Sequence, residues 1–193
     1  MVAGMMVKQN PQLSPLFMLT LGLLLGGLLG SITGLIVAQG RVVPIIATLS
    51  MMYIYRGITF IISGGKWINA YEMPDSFKEM ATGRWLGLSK LIYIVLAVYL
   101  FFYYFVNHTH TGREIYAVGS NQEAARIIGI NTKFITWLVY TISGALSGLA
   151  GVMWVARYAS AQNDTASGFV MTIVAACVLG GVSITGGVGT MSG

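Results

Sequence analysis

Long apolar runs alternate with short polar segments along the chain. An apolar run of about 20 residues can cross a bilayer as a helix, because each residue rises about 1.5 Å through about 30 Å of hydrocarbon. The runs that meet or approach this length are residues 16–38, 45–63, 91–106, 134–156 and 169–193. The pattern predicts an all-α fold, a polytopic bundle of transmembrane helices that forms a single membrane domain over residues 1–193.

Small residues recur at helical spacing in two of the predicted spans. Residues four apart lie on one face of a helix, and small side chains there let another backbone approach closely. The residues are Gly22, Gly26, Gly30 and Gly34 in the first span, and Ser143, Gly144, Ser147, Gly148 and Gly151 in the fourth. We therefore expect both faces to pack against neighbouring helices.

The last apolar stretch, AACVLGGVSITGGVGTMSG, contains the glycine pairs Gly180-Gly181 and Gly186-Gly187. So many helix breakers predict an unwound or broken helix, which a membrane tolerates only where protein or a water-filled cavity covers the backbone. The four glycines are therefore candidate functional residues, with helix packing as the alternative.

Two polar residues of the second span, Thr48 and Arg56, are further candidates. An ionisable side chain inside a span requires a partner or an aqueous cavity, which makes Arg56 a candidate functional residue. Alternatively, the span breaks at Gly57 and the arginine reaches an interface. For Thr48, helix packing is the simpler interpretation.

Composition supports a membrane environment and excludes several other classes. Only 9% of the 193 residues are charged and 55% are apolar, whereas an average soluble domain has about 25% charged residues. We expect membrane lipid around the chain. The net charge of +5 comes from scattered basic residues, so nucleic acid is not an expected partner. With one cysteine, Cys177, the chain has no internal disulfide.

Motifs for chemistry are missing from the sequence. No GxxxxGK[ST] segment occurs, so the chain has no P-loop of its own, and no serine, histidine and acid form a recognisable catalytic set. His108 and His110 lack a third metal ligand nearby. We therefore predict no catalytic residue, no metal site, no cofactor in this chain and no enzyme activity.

A polar insert, SNQEAARIIGINT, separates the third and fourth predicted spans. Ser120 and Glu123 have the spacing of a capping box, and Gly129 stands where a left-handed residue ends a helix. The pattern predicts a two-turn helix over residues 121–128. Ala124, Ile127 and Ile128 fall on one face, which either docks on another protein or packs on the chain's own spans.

The segment EAARIIG in this insert resembles the EAAxxxG signature of bacterial ABC import permeases. The flanking GREIYAVGSNQEAARIIGI, the later AACVLGGVSITGGVGT, and the earlier VPIIATLSMMYIYRG and SGGKWIN are similar to the subgroup that imports ribose, rhamnose and autoinducer-2. The resemblance covers most of the chain from Leu21 onward. The permeases of that subgroup are longer than this chain, which implies a fragment, a truncated reading frame or one piece of a split permease.

The resemblance implies a multi-pass protein of the bacterial inner membrane and a coupling loop over residues 108–133. The residues that it assigns to coupling are Glu123, Ala124, Ala125 and Gly129, with Arg113 and Arg126 beside them. In such a permease polar groups and free backbone amides can meet the hydroxyl groups of a solute, so the candidates for the transport pathway are Thr48, Arg56, Gly180, Gly181, Gly186 and Gly187. The implied partners are an ATPase subunit that binds ATP and Mg²⁺, a solute-binding protein and a second permease, identical or related. The alternative is a non-transporting membrane scaffold, a degenerate fragment that pairs with other membrane proteins.

The charge distribution argues against the orientation that the resemblance implies. A cytoplasmic coupling loop would place four basic residues on the cytoplasmic side of the membrane and six on the outer side. Cytoplasmic loops ordinarily hold the excess of lysine and arginine. The inside residues are Arg41, Arg113, Arg126 and Lys133, and the outside residues are Lys8, Lys66, Lys78, Arg84, Lys90 and Arg157. We follow the resemblance for the orientation.

Overall fold

The computed structural model describes residues 1–10, 14–40, 42–69, 73–85, 87–163, 165, 168–184 and 186–190. Helices dominate these ranges, which also hold one β-hairpin with two residues in each strand. In chain order the elements are α1 (Val2–Gln9), α2 (Pro15–Gln39), α3 (Pro44–Ser63), α4 (Asp75–Thr82), β1 (Arg84–Trp85), β2 (Leu88–Ser89), α5 (Lys90–His108), α6 (His110–Ser120), α7 (Gln122–Ile127), α8 (Thr132–Tyr158) and α9 (Phe169–Leu179).

Four helices in the described part of the chain are long and apolar enough to cross a membrane. They are α2, α3, α5 and α8, with 25, 20, 19 and 27 residues. This confirms the predicted all-α membrane bundle. No residue of α5 is buried within the chain, so its sides are available to lipid or to other helices.

The fifth predicted span is helical only over α9, which has 11 residues. That length corresponds to about 16 Å, roughly half of the hydrocarbon core. Gly180 ends the helix, and Gly181, Gly186 and Gly187 follow with φ of 85°, 88° and 73°. Such φ values favour glycine, so these residues explain why the chain leaves the helix here. Residues 185 and 191–193 of the predicted span lie outside the described residues.

Helices α2 and α8 pack antiparallel through their glycines. A Cβ on Gly26 would lie 2.8 Å from the Cα of Gly148, and a Cβ on Gly30 would lie 2.8 Å from the Cα of Gly144. The Trp137 indole also donates to Ser31 Oγ across the pair, at 2.8 Å. The glycine faces predicted from spacing are thus confirmed as a close helix contact.

Not all the small residues of α8 share in this contact. A Cβ on Gly151 would meet no atom within 4 Å, so the close contact predicted for that glycine is wrong. Ser143 and Ser147 are exposed on the helix and line cavities instead. The contact face of α8 is narrower than the run of small residues, because it follows only the i, i+4 row of Gly144 and Gly148.

A small hydrophobic core covers one end of the α2–α8 pair. It joins α1 and α4 to the start of α2 and the end of α8, and two backbone hydrogen bonds between Ile68 and Ala161, of 3.1 and 3.0 Å, tie the adjacent loops together. The buried residues are Ala3, Val7, Met18, Ile68, Met73, Phe77, Ala81, Val152, Val155, Ala156 and Ala161. Helix α7 lies beyond the other end of α8, so the molecule has two distinct ends.

Candidate coupling helix and outer cavity

The N-terminus of α7 is capped by Asn121. Its Oδ1 accepts from the backbone N–H groups of Glu123 and Ala124, both at 3.0 Å. The predicted capping box of Ser120 and Glu123 is wrong. Helix α6 runs through Ser120, since the N–H of Asn121 still donates to Ala117 O at 3.1 Å. Ser120 is therefore helical, and the extended residue that a cap requires is Asn121, with φ of −154°.

Glu123 consequently occupies the second helical position of α7, one place earlier than the capping box needs. Its carboxylate is exposed in the first turn, where the helix dipole favours a negative charge. Asn121 makes the side-chain cap, so the exposed carboxylate is available for a contact with another molecule.

Gly129 is the left-handed residue that follows the C-terminus of α7, as predicted. The glycine has φ of 89°, and its N–H donates to Arg126 O at 3.1 Å. The next N–H, of Ile130, donates to Ala125 O at 3.0 Å. This pair of bonds forms a Schellman motif, which satisfies carbonyl groups at the end of the helix. Both ends of a six-residue helix are thereby fixed.

One side of α7 faces the protein and the other is exposed. Ala125 is 2% exposed and packs inward, whereas Ile127 is 86% and Ile128 is 72% exposed. Together with exposed Ala124, these two isoleucines form what we call the docking patch. Large apolar side chains are rarely left this accessible unless they meet a partner or lipid. Arg113 and Arg126 are exposed as well.

The glycine-rich segment after α9 lies directly against the end of α6. A Cβ on Gly119 would lie 3.0 Å from Gly187 N, and the Tyr116 hydroxyl donates to Gly189 O at 2.9 Å. Gly186 and Gly187 are therefore next to the segment that leads into α7. The structure does not bring them together with Thr48 or Arg56, which line cavities elsewhere.

Arg56 lines a cavity of about 630 Å³ between α3, α8, α9 and the loop after α8. We call it the outer cavity, since it lies at the end of α8 remote from α7. Thr48 lines a smaller cavity of about 440 Å³ between α2, α3 and α8. Tyr55 and Ser147 line both cavities, so the two adjoin along α3 and α8.

Asn163 is the most unusual residue of the outer cavity. Its Oδ1 accepts from Ser63 Oγ at 3.0 Å, whereas its Nδ2 is buried without a hydrogen-bond partner among the described residues. A buried donor left unsatisfied costs about 1–3 kcal/mol. This amide is therefore a candidate donor to an acceptor that the described residues do not supply.

Asn163 and Ser63, which are 100 positions apart, are not among the residues that the sequence predicts for a site. Part of the outer cavity did carry a sequence signal. Tyr55, Thr59 and Ser63 are polar residues at spacing four in an apolar span, so they share one helical face. Asn163, in a loop, belongs to no such pattern.

The chain matches, over residues 1–191, the family described as branched-chain amino acid transport system / permease component. It is 43% identical over 173 residues to the ribose import permease protein RbsC of Escherichia coli (strain K12), which covers 89% of this chain and 54% of that protein. It is 40% identical over 169 residues to the autoinducer 2 import system permease protein LsrC of Klebsiella pneumoniae, with coverage of 88% and 48%.

A third relative, the autoinducer 2 import system permease protein LsrC of Photorhabdus laumondii, is 33% identical over 192 residues. That alignment covers 100% of this chain and 56% of the relative. The chain therefore spans about half the length of these curated relatives. No solved structure matches the chain significantly.

The relatives are named as transport permeases rather than enzymes, and four helices of the described part can cross a membrane. Both findings agree with a multi-pass protein of the bacterial inner membrane. The chain belongs to the branched-chain amino acid transport system / permease component family.

Proposed function

We propose that this chain is a membrane-spanning part of the permease of an ABC importer, and that it moves a sugar or a sugar-like solute of the ribose, rhamnose or autoinducer-2 type. The observation that carries the proposal is α7. It holds the EAAxxxG residues, it is capped at both ends, and it presents two isoleucines that are 86% and 72% exposed. A docking helix needs a fixed shape and an accessible apolar face.

The partner of α7 in this proposal is an ATPase subunit. The chain has no GxxxxGK[ST] segment, so ATP and Mg²⁺ would be bound by that partner and not by the permease. The roles proposed for single residues are a contact with the ATPase through Glu123 and Ala124, inward packing through Ala125, and helix termination through Gly129. Arg113 and Arg126, both exposed, would form the charged rim of the contact.

The 27 residues of α8 would transmit the movement of the ATPase across the membrane. Four residues separate the end of α7 from the start of α8. Helix α8 extends for about 40 Å, and its far end lines the outer cavity. A rigid helix of this length moves as one body, which is what alternating access requires. A separate binding protein would deliver the solute at the outer side, and a second permease, identical or related, would complete the pathway.

The test is capture of the ATPase subunit of the same importer by the purified chain. We expect the double change Ile127→Glu and Ile128→Glu to abolish capture, because two charges replace the apolar docking patch. The matched control is Trp67→Glu, a change at a residue that is 59% exposed at the opposite end of the molecule. It should capture the ATPase like the unmodified chain.

Capture by the double variant at the level of the unmodified chain would refute docking through this patch. An unmodified chain that captures no ATPase, although it inserts into membranes, would favour the alternative of a non-transporting scaffold.

A further inference from the structure

The outer cavity has the size and lining of a small-molecule site. Its volume of about 630 Å³ falls within the range of about 300–1,000 Å³ that is usual for ligand pockets. The walls are mostly apolar, with a few polar groups that converge from three separate parts of the chain. Such a lining combines burial of a solute with contacts that fix its orientation.

Asn163 is the polar group that is best prepared for a ligand. Ser63 Oγ, at the end of α3, lies 3.0 Å from the amide oxygen, and its single proton is shared between this oxygen and Phe60 O, also at 3.0 Å. The nitrogen is buried and lacks an acceptor among the described residues. Its N–H groups can therefore donate to an oxygen atom of a molecule that enters the cavity.

The other lining residues indicate which kind of oxygen. Thr59 and Thr165 have hydroxyl groups, and Gln162 has a second amide. The two threonine protons go to Tyr55 O and Gln162 O, so these hydroxyls offer oxygen acceptors, whereas the amide both donates and accepts, as the hydroxyl groups of a solute do. The Trp154 ring adds an apolar surface for the C–H face of such a solute.

Charge argues for a neutral solute. The described lining holds no carboxylate to attract a cation. Its cationic groups are Arg56, which already engages another group of the protein, and the Met1 amine, whose pKa burial lowers below its usual range. A lower pKa reduces the positive charge of the amine near neutral pH, so attraction for an anion is weakened as well.

We propose that the outer cavity binds a small, neutral, polyhydroxylated solute, and that Asn163, held by Ser63, donates a hydrogen bond to one of its hydroxyl oxygens. The inference rests on the proposed function, since it names residues that would meet the solute at the outer side. It adds a site formed by the loop after α8, which neither the EAAxxxG resemblance nor the α7 geometry specifies.

The test measures D-ribose binding to the purified full chain by saturation-transfer NMR, which detects weak association. We expect saturable binding of D-ribose, and no binding of sodium D-gluconate, which offers hydroxyl groups together with a negative charge. Asn163→Leu should weaken ribose binding at least tenfold, and Ser63→Ala should weaken it less because the amide stays but loses its anchor. The control is Asn107→Leu, an exposed asparagine outside the cavity.

A second variant covers the case in which Asn163→Leu does not fold. Asn163→Asp keeps the oxygen that accepts from Ser63 and removes the free N–H, so it should also weaken ribose binding at least tenfold at pH 8. Unchanged ribose binding by a folded Asn163 variant would overturn the inference. Preferential binding of gluconate, or an unmodified chain that does not bind ribose, would overturn it too.

Capture of the ATPase separates this inference from the proposed function. A chain that captures the ATPase but binds ribose independently of Asn163 would keep the function and lose the site. A chain that binds ribose through Asn163 but captures no ATPase would keep the site and lose the function.

Discussion

At the scale of single residues, Asn121 decides whether α7 forms. A helix of six residues is too short to be stable through its own backbone bonds, and the side chain of Asn121 satisfies two of its first amides. We expect Asn121→Ala to destabilise α7 by about 1 kcal/mol. Hydrogen exchange at the amides of Glu123 and Ala124 measures the change, which should be a several-fold loss of protection.

The neighbouring serine offers the matched control. Ser120→Ala changes the residue at which a sequence-based cap is expected, yet Ser120 is the last residue of α6. Exchange in α7 should therefore be nearly unaffected. Equal loss of protection in both variants would contradict the assignment of the cap to Asn121.

The difference between Ser120 and Asn121 shows why caps are hard to place from sequence. Both residues are good N-caps by type, and Ser120 also has Glu123 at the spacing of a capping box. The choice depends on where α6 ends, and that helix is itself held by a contact between Gly119 and distant Gly187. The residues in and beside α7 are enough to predict that Gly129 follows the helix. They do not reveal the contact between Gly119 and Gly187, which helps to fix where α6 ends.

At the scale of helices, the α2–α8 contact depends on residues without side chains. A Cβ on Gly148 would lie 2.9 Å from the Cα of Gly26, which is closer than two carbon atoms normally approach. We expect Gly148→Ala to lower the free energy of unfolding by about 1–3 kcal/mol, because the two backbones must separate. Reversible unfolding in detergent, followed by circular dichroism, measures the loss.

Gly57→Ala is the control for this experiment. Gly57 lies within α3, and a Cβ there would meet no atom within 4 Å. Replacing a glycine inside a helix by alanine without a clash should leave stability unchanged or raise it by roughly 0.4–1 kcal/mol. A loss of stability in Gly57→Ala equal to that in Gly148→Ala would indicate a general effect of alanine rather than backbone contact.

The helical elements follow from sequence more fully than their partners do. Apolar length alone predicts the four spanning helices, because the bilayer sets how many residues a span needs. Glycine spacing predicts that α2 has a contact face, but it does not identify α8 as the partner. The outer cavity is harder to predict from sequence than either helix contact. Ser63 and Asn163 are 100 positions apart, and they meet only when α3 and the chain after α8 pack together.

At the scale of the whole molecule, α8 separates the docking patch from the outer cavity. The two features lie at opposite ends of a 27-residue helix, so they face opposite sides of the membrane. The proposed function requires the patch on the cytoplasmic side. The balance of basic residues, four against six, favours the opposite orientation by the positive-inside rule.

Cysteine labelling distinguishes the two orientations. The chain has one cysteine, Cys177, which is exposed on α9, so Cys177→Ser gives a background without thiols. In that background Trp67→Cys should react with a membrane-impermeant maleimide in intact spheroplasts, because Trp67 lies beside the outer cavity end of the bundle and is 59% exposed. Ile128→Cys, at a residue 72% exposed in the docking patch, should react only after permeabilisation.

The reverse labelling pattern would place α7 outside the cell, where no ATP-bound ATPase could reach it, and would refute the coupling role of the docking patch. The pattern that we expect would mean that interactions with other subunits outweigh the charge bias in this chain. Packing within the chain cannot do so, because α4, which carries Lys78, packs on the end of α8 through buried Phe77 and Ala81 in either orientation.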